Sequence, residues 1–102
     1  MAVTRYTKAD LHMHSTASDG RMAPGELVAE AVRGGLELVS LTDHDTLSGW
    51  PAFSTAAGAA GLACVPGVEI SARQAGVEVH MLGYGFDPDH PALQAFLAVQ
   101  QG

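Results

Sequence analysis

Asp10, His12 and His14 alternate along the chain. In an extended strand, side chains two apart project from one face, so this run sets two imidazoles and a carboxylate side by side. Neutral imidazoles bind divalent cations, and a nearby carboxylate can orient a ring through its other N–H. The same spacing also occurs on exposed edges with no ligand, so its weight depends on what accompanies it. Thr42-Asp43-His44-Asp45 closes a second apolar run, Glu69 interrupts a third between Val68 and Ile70, and His80 a fourth between Val79 and Met81. Burying a bare carboxylate is costly, so an ion or a charged partner is expected beside Glu69. Acidic groups gathered around histidines repel one another unless cations are bound among them.

These groups sit on alternating apolar runs and turn signals. A strand from Thr4 to Leu11 leads into Asp-Leu-His-Met-His, and residues 15–22 read as a polar loop. Pro24 suits the first turn of a helix whose buried face is Leu27, Val28, Ala31 and Val32, and Gly34-Gly35 ends it. Leu36 to Thr42 reads as a buried strand and Pro51 to Ala60 as an alanine-rich helix stopped by Gly61. Leu62 to Val65 is a third strand, broken by Pro66-Gly67 and resumed by Val68-Glu69-Ile70; Val77 to Tyr84 is a fourth. Asp89 or His90 caps a last helix from Pro91. Strands alternating with helices predict an α/β fold with a parallel sheet, whose carboxyl strand ends share one rim where sites form. Ser71 to Gly76 is too short for a helical crossover and predicts a hairpin or an edge excursion.

Composition narrows the partners. The chain has 102 residues, enough for one small domain, with 47% hydrophobic and 16% charged residues. Its net charge is −6, and Arg5, Lys8, Arg21, Arg33 and Arg73 are scattered, which excludes an extended nucleic-acid surface. Cys64 is the only cysteine and reads as a small core residue. No signal-peptide core and no membrane-length apolar run is present, so a cytoplasmic protein without membrane partners is expected.

The motifs resemble one family. Asp10-Leu11-His12-Met13-His14, Ser18-Asp19-Gly20, Thr42-Asp43-His44-Asp45, Gly67-Val68-Glu69 and Val79-His80-Met81-Leu82-Gly83 occur in the order found in the polymerase-and-histidinol-phosphatase (PHP) family. Gly-Val-Glu-Ile-Ser and Gly-Tyr-Gly-Phe-Asp-Pro-Asp-His-Pro are most similar to stand-alone members acting on nucleoside 3′,5′-bisphosphates and on 5′ ends of short RNA. The resemblance implies a distorted (β/α)7 barrel with two or three divalent ions (Mn, Zn or Fe) at the strand ends. It implies that His12, His14 and Glu69 hold one ion, that Glu69 bridges to a second held by His80, and that Asp19 and His44 hold a third. Asp10, Asp43 and Asp45 would be outer carboxylates supporting the ligands, with Asp43 and Asp45 nearest the chemistry. Arg73 would grip a substrate phosphate. The implied reaction is phosphoester hydrolysis by metal-activated water, with no covalent nucleophile, so Ser15, Ser18 and Ser71 are loop or capping residues. His90 belongs to local structure.

The family's late Asp-x-His ligands have no counterpart after His80. Residues 1–102 are therefore expected to be the N-terminal portion of a PHP domain: an open first half of the barrel, incomplete as a catalyst. Rival readings are histidinol-phosphate phosphatase, a non-catalytic metal-binding module and a metal-dependent amidohydrolase.

Overall fold

The computed structural model of the chain describes residues 6–101. Strand β1 (Ala9–Met13) carries the histidine run, and the expected start at Thr4 lies outside the described residues. Helix α1 (Pro24–Arg33) opens with Pro24, and Glu26 Oε1 accepts the Ala23 N–H at 3.1 Å. Val28 and Ala31 are buried, with Leu27 packed beside them, but Val32 is 49% exposed. At 100° per residue Val32 stands about a quarter-turn from the centre of that stripe, so the expected four-residue face is one residue too wide.

β2 (Leu38–Leu41) is the centre of a three-stranded parallel sheet, flanked by β1 and by β3 (Ala63–Cys64). Helix α2 (Trp50–Ala59) buries Phe53 and Ala57, one turn apart. They meet Val28, Ala31, Val39, Leu41 and Leu62 in a single core under the sheet. Complete burial of a side chain such as Phe53 or Val39 contributes about 1.5–3 kcal/mol, which fixes the end of β2, where the polar cluster begins.

The third apolar run divides. Pro66 has no N–H to continue a ladder, and beyond it the chain leaves the parallel sheet. β4 (Gly67–Gln74) and β5 (Val77–Tyr84) form a separate antiparallel pair, in register from Gly67 opposite Tyr84 to Gln74 opposite Val77. The turn Ala75-Gly76 has φ of 53° and 79°, the two-residue primed turn that suits twisted strands. The short link expected to be a hairpin is one, whereas the expected continuous parallel rim is replaced by two small sheets. What the structure shows is a mixed α/β fold.

A few contacts join the hairpin to the parallel sheet. Glu69 pairs with His44 in an isolated parallel bridge: the Glu69 N–H donates to the Asp43 carbonyl (3.1 Å), and the Asp45 N–H to the Glu69 carbonyl (2.9 Å). Gly67 lies so close to β2 that a Cβ there would stand 2.4 Å from Ser40 Oγ. The Tyr84 hydroxyl donates to the Leu11 carbonyl. Helix α3 (Pro91–Gln101) follows, with His90 Nδ1 accepting the Ala92 N–H (3.2 Å) as its cap and Leu97 buried. Among the described residues no helix is long and apolar enough to cross a membrane.

Candidate metal centre

Glu69 is the hub of the cluster. Its side chain is 5% exposed, and one carboxylate oxygen faces His12 Nε2 at 2.7 Å and His14 Nε2 at 2.9 Å. The other faces His80 Nδ1 at 2.6 Å and His44 Nδ1 at 3.6 Å. Burial alone would push the Glu69 carboxyl up, but hydrogen bonds from His12 and His14, the charge of His44 and a bond from His80 outweigh it and hold it below the usual range. Asp19 spans two more rings, Oδ1 to His14 Nδ1 at 2.7 Å and Oδ2 to His44 Nε2 at 3.1 Å. Slight burial works against ionisation there too, and the His14 hydrogen bond with the His44 charge overcomes it, so its carboxyl is also lowered. Both nitrogens of His80 meet carboxylates; the bond to Glu78, then that to Glu69, raise its affinity for a proton.

The donors form three overlapping groups, His12–His14–Glu69, His14–Asp19–His44 and His44–Glu69–His80, with the ligand atoms of each group within 4.8 Å of one another. Two donors on one first-row ion, with bonds of about 2.0–2.1 Å, stand roughly 3 Å apart, close to the spacings above. Carboxylates only accept, so each ring nitrogen aimed at one must carry a proton or share a cation with it. His14 and His80 face carboxylates through both nitrogens. This arrangement of mixed nitrogen and oxygen donors fits a divalent metal.

The elements that position these groups differ. His12 lies on β1, while His14 and His44 follow the ends of β1 and β2, as expected of a parallel rim. Glu69 lies near the beginning of β4 and His80 mid-way along β5, so the hairpin delivers them sideways rather than from strand ends. Asp19 is brought in by the turn after His14, where the Gly20 N–H donates to the Ser15 carbonyl (2.9 Å). A Cβ on Gly20 would lie 2.1 Å from the His14 carbonyl oxygen, so only glycine fits.

All six expected ligands, His12, His14, Asp19, His44, Glu69 and His80, are thus brought together. The expected outer carboxylates bond to backbone N–H groups and to serine hydroxyls. Asp43 is 1% exposed and faces the loop: it accepts the Ser15 N–H (2.6 Å), Ser15 Oγ (2.7 Å) and Ser18 Oγ (2.8 Å). It thereby anchors the loop that sets His14 and Asp19 against His44. Asp45, with φ 53°, accepts the Ser71 N–H at 2.9 Å and so ties the loop after β2 to β4. Asp10 accepts the His12 backbone N–H (3.0 Å) rather than a ring N–H. Arg73 is exposed on β4, on the same face as Glu69 but four residues further, about 13 Å along the strand. It lines a cavity of about 430 Å³ with Ser71, Glu78 and Gln100 and is not part of the cluster. Sequence reasoning missed Glu78, whose Oε1 lies 3.1 Å from His80 Nε2. The signal was present, since Glu78-x-His80 repeats the spacing of Asp10-x-His12.

The sequence profile of the PHP domain matches residues 10–99. The chain belongs to the PHP domain family. It is 44% identical over 94 residues to a 5′-3′ exoribonuclease of Haemophilus influenzae, covering 92% of this chain and 34% of that protein. It is 39% identical over 94 residues to a 3′,5′-nucleoside bisphosphate phosphatase of Chromobacterium violaceum, covering 91% of this chain and 33% of the relative. Among solved structures, a Chromobacterium violaceum protein described as an amidohydrolase, with bound sulfate and no metal, superposes with a TM-score of 0.88 at 39% identity, over 91% of this chain and 33% of that one. A Bifidobacterium adolescentis protein provisionally classed as a metal-dependent phosphoesterase gives 0.83 at 35% identity, over 90% and 32%. This PHP chain therefore spans about a third of the length of the relatives it matches.

Proposed function

We propose that this PHP chain contributes the metal-binding part of a hydrolase that cleaves phosphate esters, its substrates being nucleoside 3′,5′-bisphosphates or the 5′ ends of short RNA. The observation that carries this is Glu69, a buried carboxylate with four imidazoles turned toward it. Relatives named for bisphosphate and RNA-end hydrolysis, and sulfate bound in a related structure, support phosphate as the substrate group. His12, His14 and Glu69 would hold one ion, Glu69 and His80 with His44 a second, and Asp19 and His44 with His14 a third. Bound Mn, Zn or Fe would supply a water acidic enough to attack phosphorus at neutral pH, and positive charge for the phosphate oxygens.

The chain's own residues prepare that step. Glu69 and Asp19 fix the ring orientations, so the donors are set before a substrate arrives. Asp43 holds Ser15 and Ser18, preventing the loop that carries Asp19 from swinging away. Arg73, at the far end of the same hairpin face, would meet a more distant phosphate of an oligonucleotide. The βαβαβ segment would begin a distorted (β/α)7 barrel, residues 1–102 forming the N-terminal portion of one domain. A cytoplasmic location would accord with that substrate class.

The test is metal uptake by the purified chain, followed by phosphate release from adenosine 3′,5′-bisphosphate, a 5′-phosphorylated trinucleotide and histidinol phosphate. Stoichiometric Mn or Zn is expected, and any phosphate release should fall on the first two. A chain that takes up no ion overturns the reading. So does a metal-loaded chain that cleaves amides but no phosphate ester, the outcome favoured by the amidohydrolase description of the Chromobacterium structure.

A further inference from the structure

Glu78 lies outside all three donor groups, yet it touches one of their members. His80 is held between two carboxylates: Nδ1 is 2.6 Å from Glu69 Oε2, and Nε2 is 3.1 Å from Glu78 Oε1. The ring is 43% exposed, so packing does little to fix it. Its neighbour His44 meets it edge-on, at 5.2 Å between ring centres. Glu78 and His80 are two apart on β5, opposite Arg73 and Ser71, so their side chains share a face of the hairpin. We propose that Glu78 is a positioning residue: by accepting a hydrogen bond from His80 Nε2–H it fixes the tautomer whose free Nδ1 lone pair points at Glu69 and would serve as the metal ligand.

A ligating imidazole whose other N–H is held by a carboxylate is oriented and made more basic, and loss of such a partner lowers metal affinity about 10–100-fold. The other rings differ. His14 gives its second nitrogen to Asp19, itself a candidate ligand, and the carboxylate two residues before His12 is spent on backbone. Glu78 thus contacts a candidate ligand ring from outside the donor groups. Because it is 56% exposed, the effect is set at the low end of that range.

The inference rests on the metal reading above, and the experiment separates the two. Zinc affinity is measured on the 102-residue chain by chelator competition, and the His80 ring nitrogens are read by 15N NMR in the zinc-loaded protein. Wild type is expected to show His80 metallated at Nδ1 with a proton on Nε2. Glu78→Ala is expected to weaken the weakest zinc site about tenfold and to lose the single His80 tautomer. Glu78→Gln, whose amide oxygen still accepts from Nε2, is expected to restore most of both. A wild-type chain that binds no zinc overturns the metal reading and this inference with it. Zinc binding in Glu78→Ala equal to wild type, or His80 metallated through Nε2, overturns this inference alone.

Discussion

The parallel sheet and the hairpin supply the same cluster under opposite conditions. On β2, Val39, Ser40 and Leu41 are buried, and burial continues through Thr42 and Asp43 to the residue before His44. On β5 nearly every residue is exposed, with Val77 at 62% and Met81 at 52%. The first region holds its ligands because a packed core fixes the strand beneath them. The second holds Glu69 and His80 by a few directed contacts near Gly67, Glu69 and Tyr84. Damage to the sheet should therefore appear as lost stability, and damage to the hairpin as lost site geometry while the sheet stays folded.

The largest effect should come from the hub. Glu69→Ala leaves four imidazoles without their shared carboxylate, and metal affinity should fall about 1,000-fold or more, roughly 4 kcal/mol. Calorimetric titration with Zn checks this, and near-wild-type affinity would mean that the sheet alone makes the site. Asp43→Ala tests the opposite side. It strands buried donors of Ser15, and unfolding in urea should show a loss of about 3 kcal/mol. Little change there would place the sheet's rigidity elsewhere.

Gly67→Ala bears on the seam, where a Cβ meets Ser40 Oγ and Thr42 Cγ2. A cost of about 1–3 kcal/mol is expected in the same unfolding assay, with weaker metal binding as the hairpin is pushed off. Tyr84→Phe removes one hydrogen bond to β1, about 1 kcal/mol. Amide exchange should quicken on β5 and stay unchanged on β2; equal acceleration of both would show the two regions to be one cooperative unit. The smallest effect is a pH dependence in the sheet half. Hydrogen bonds from Thr7, then Lys8, hold the Glu37 carboxyl below its usual range. A carboxylate lowered in the folded state stabilises above its unfolded pKa, and that contribution disappears as pH falls through the folded value. Wild type should thus lose slightly more stability than Glu37→Gln when melting temperatures are followed from pH 5 down to pH 3.

Legibility divided along the same line. β1, β2, both early helices and the hairpin could be read because hydrophobic period and glycine or proline punctuation report local geometry. The separation of β3 from β4 was half visible: Pro66-Gly67 marked a break, but nothing local says that the chain resumes in another sheet. Val32 was assigned to a face that the packing makes narrower. The six candidate ligands were legible as motif members, and Glu69 and His80 also as polar groups in apolar runs. The supporting carboxylates were not, because spacing alone leaves Asp10-x-His12 and Glu78-x-His80 indistinguishable. Which carboxylate turns to a ring and which to backbone depends on what faces the strand, and that is tertiary information. Asp43 shows the same limit, since its neighbours announce a site while its oxygens belong to Ser15 and Ser18.

Glu69 also gives its own backbone to the seam, donating to Asp43 and accepting from Asp45, while its side chain collects the imidazoles. If the proposed ions bind there, one residue would be both the rivet between two sheets and their socket. Tightening the socket would then also tighten the rivet, coupling ion loading to the docking of the hairpin. On that reading the rigidity of β4 would gauge how far the site is filled.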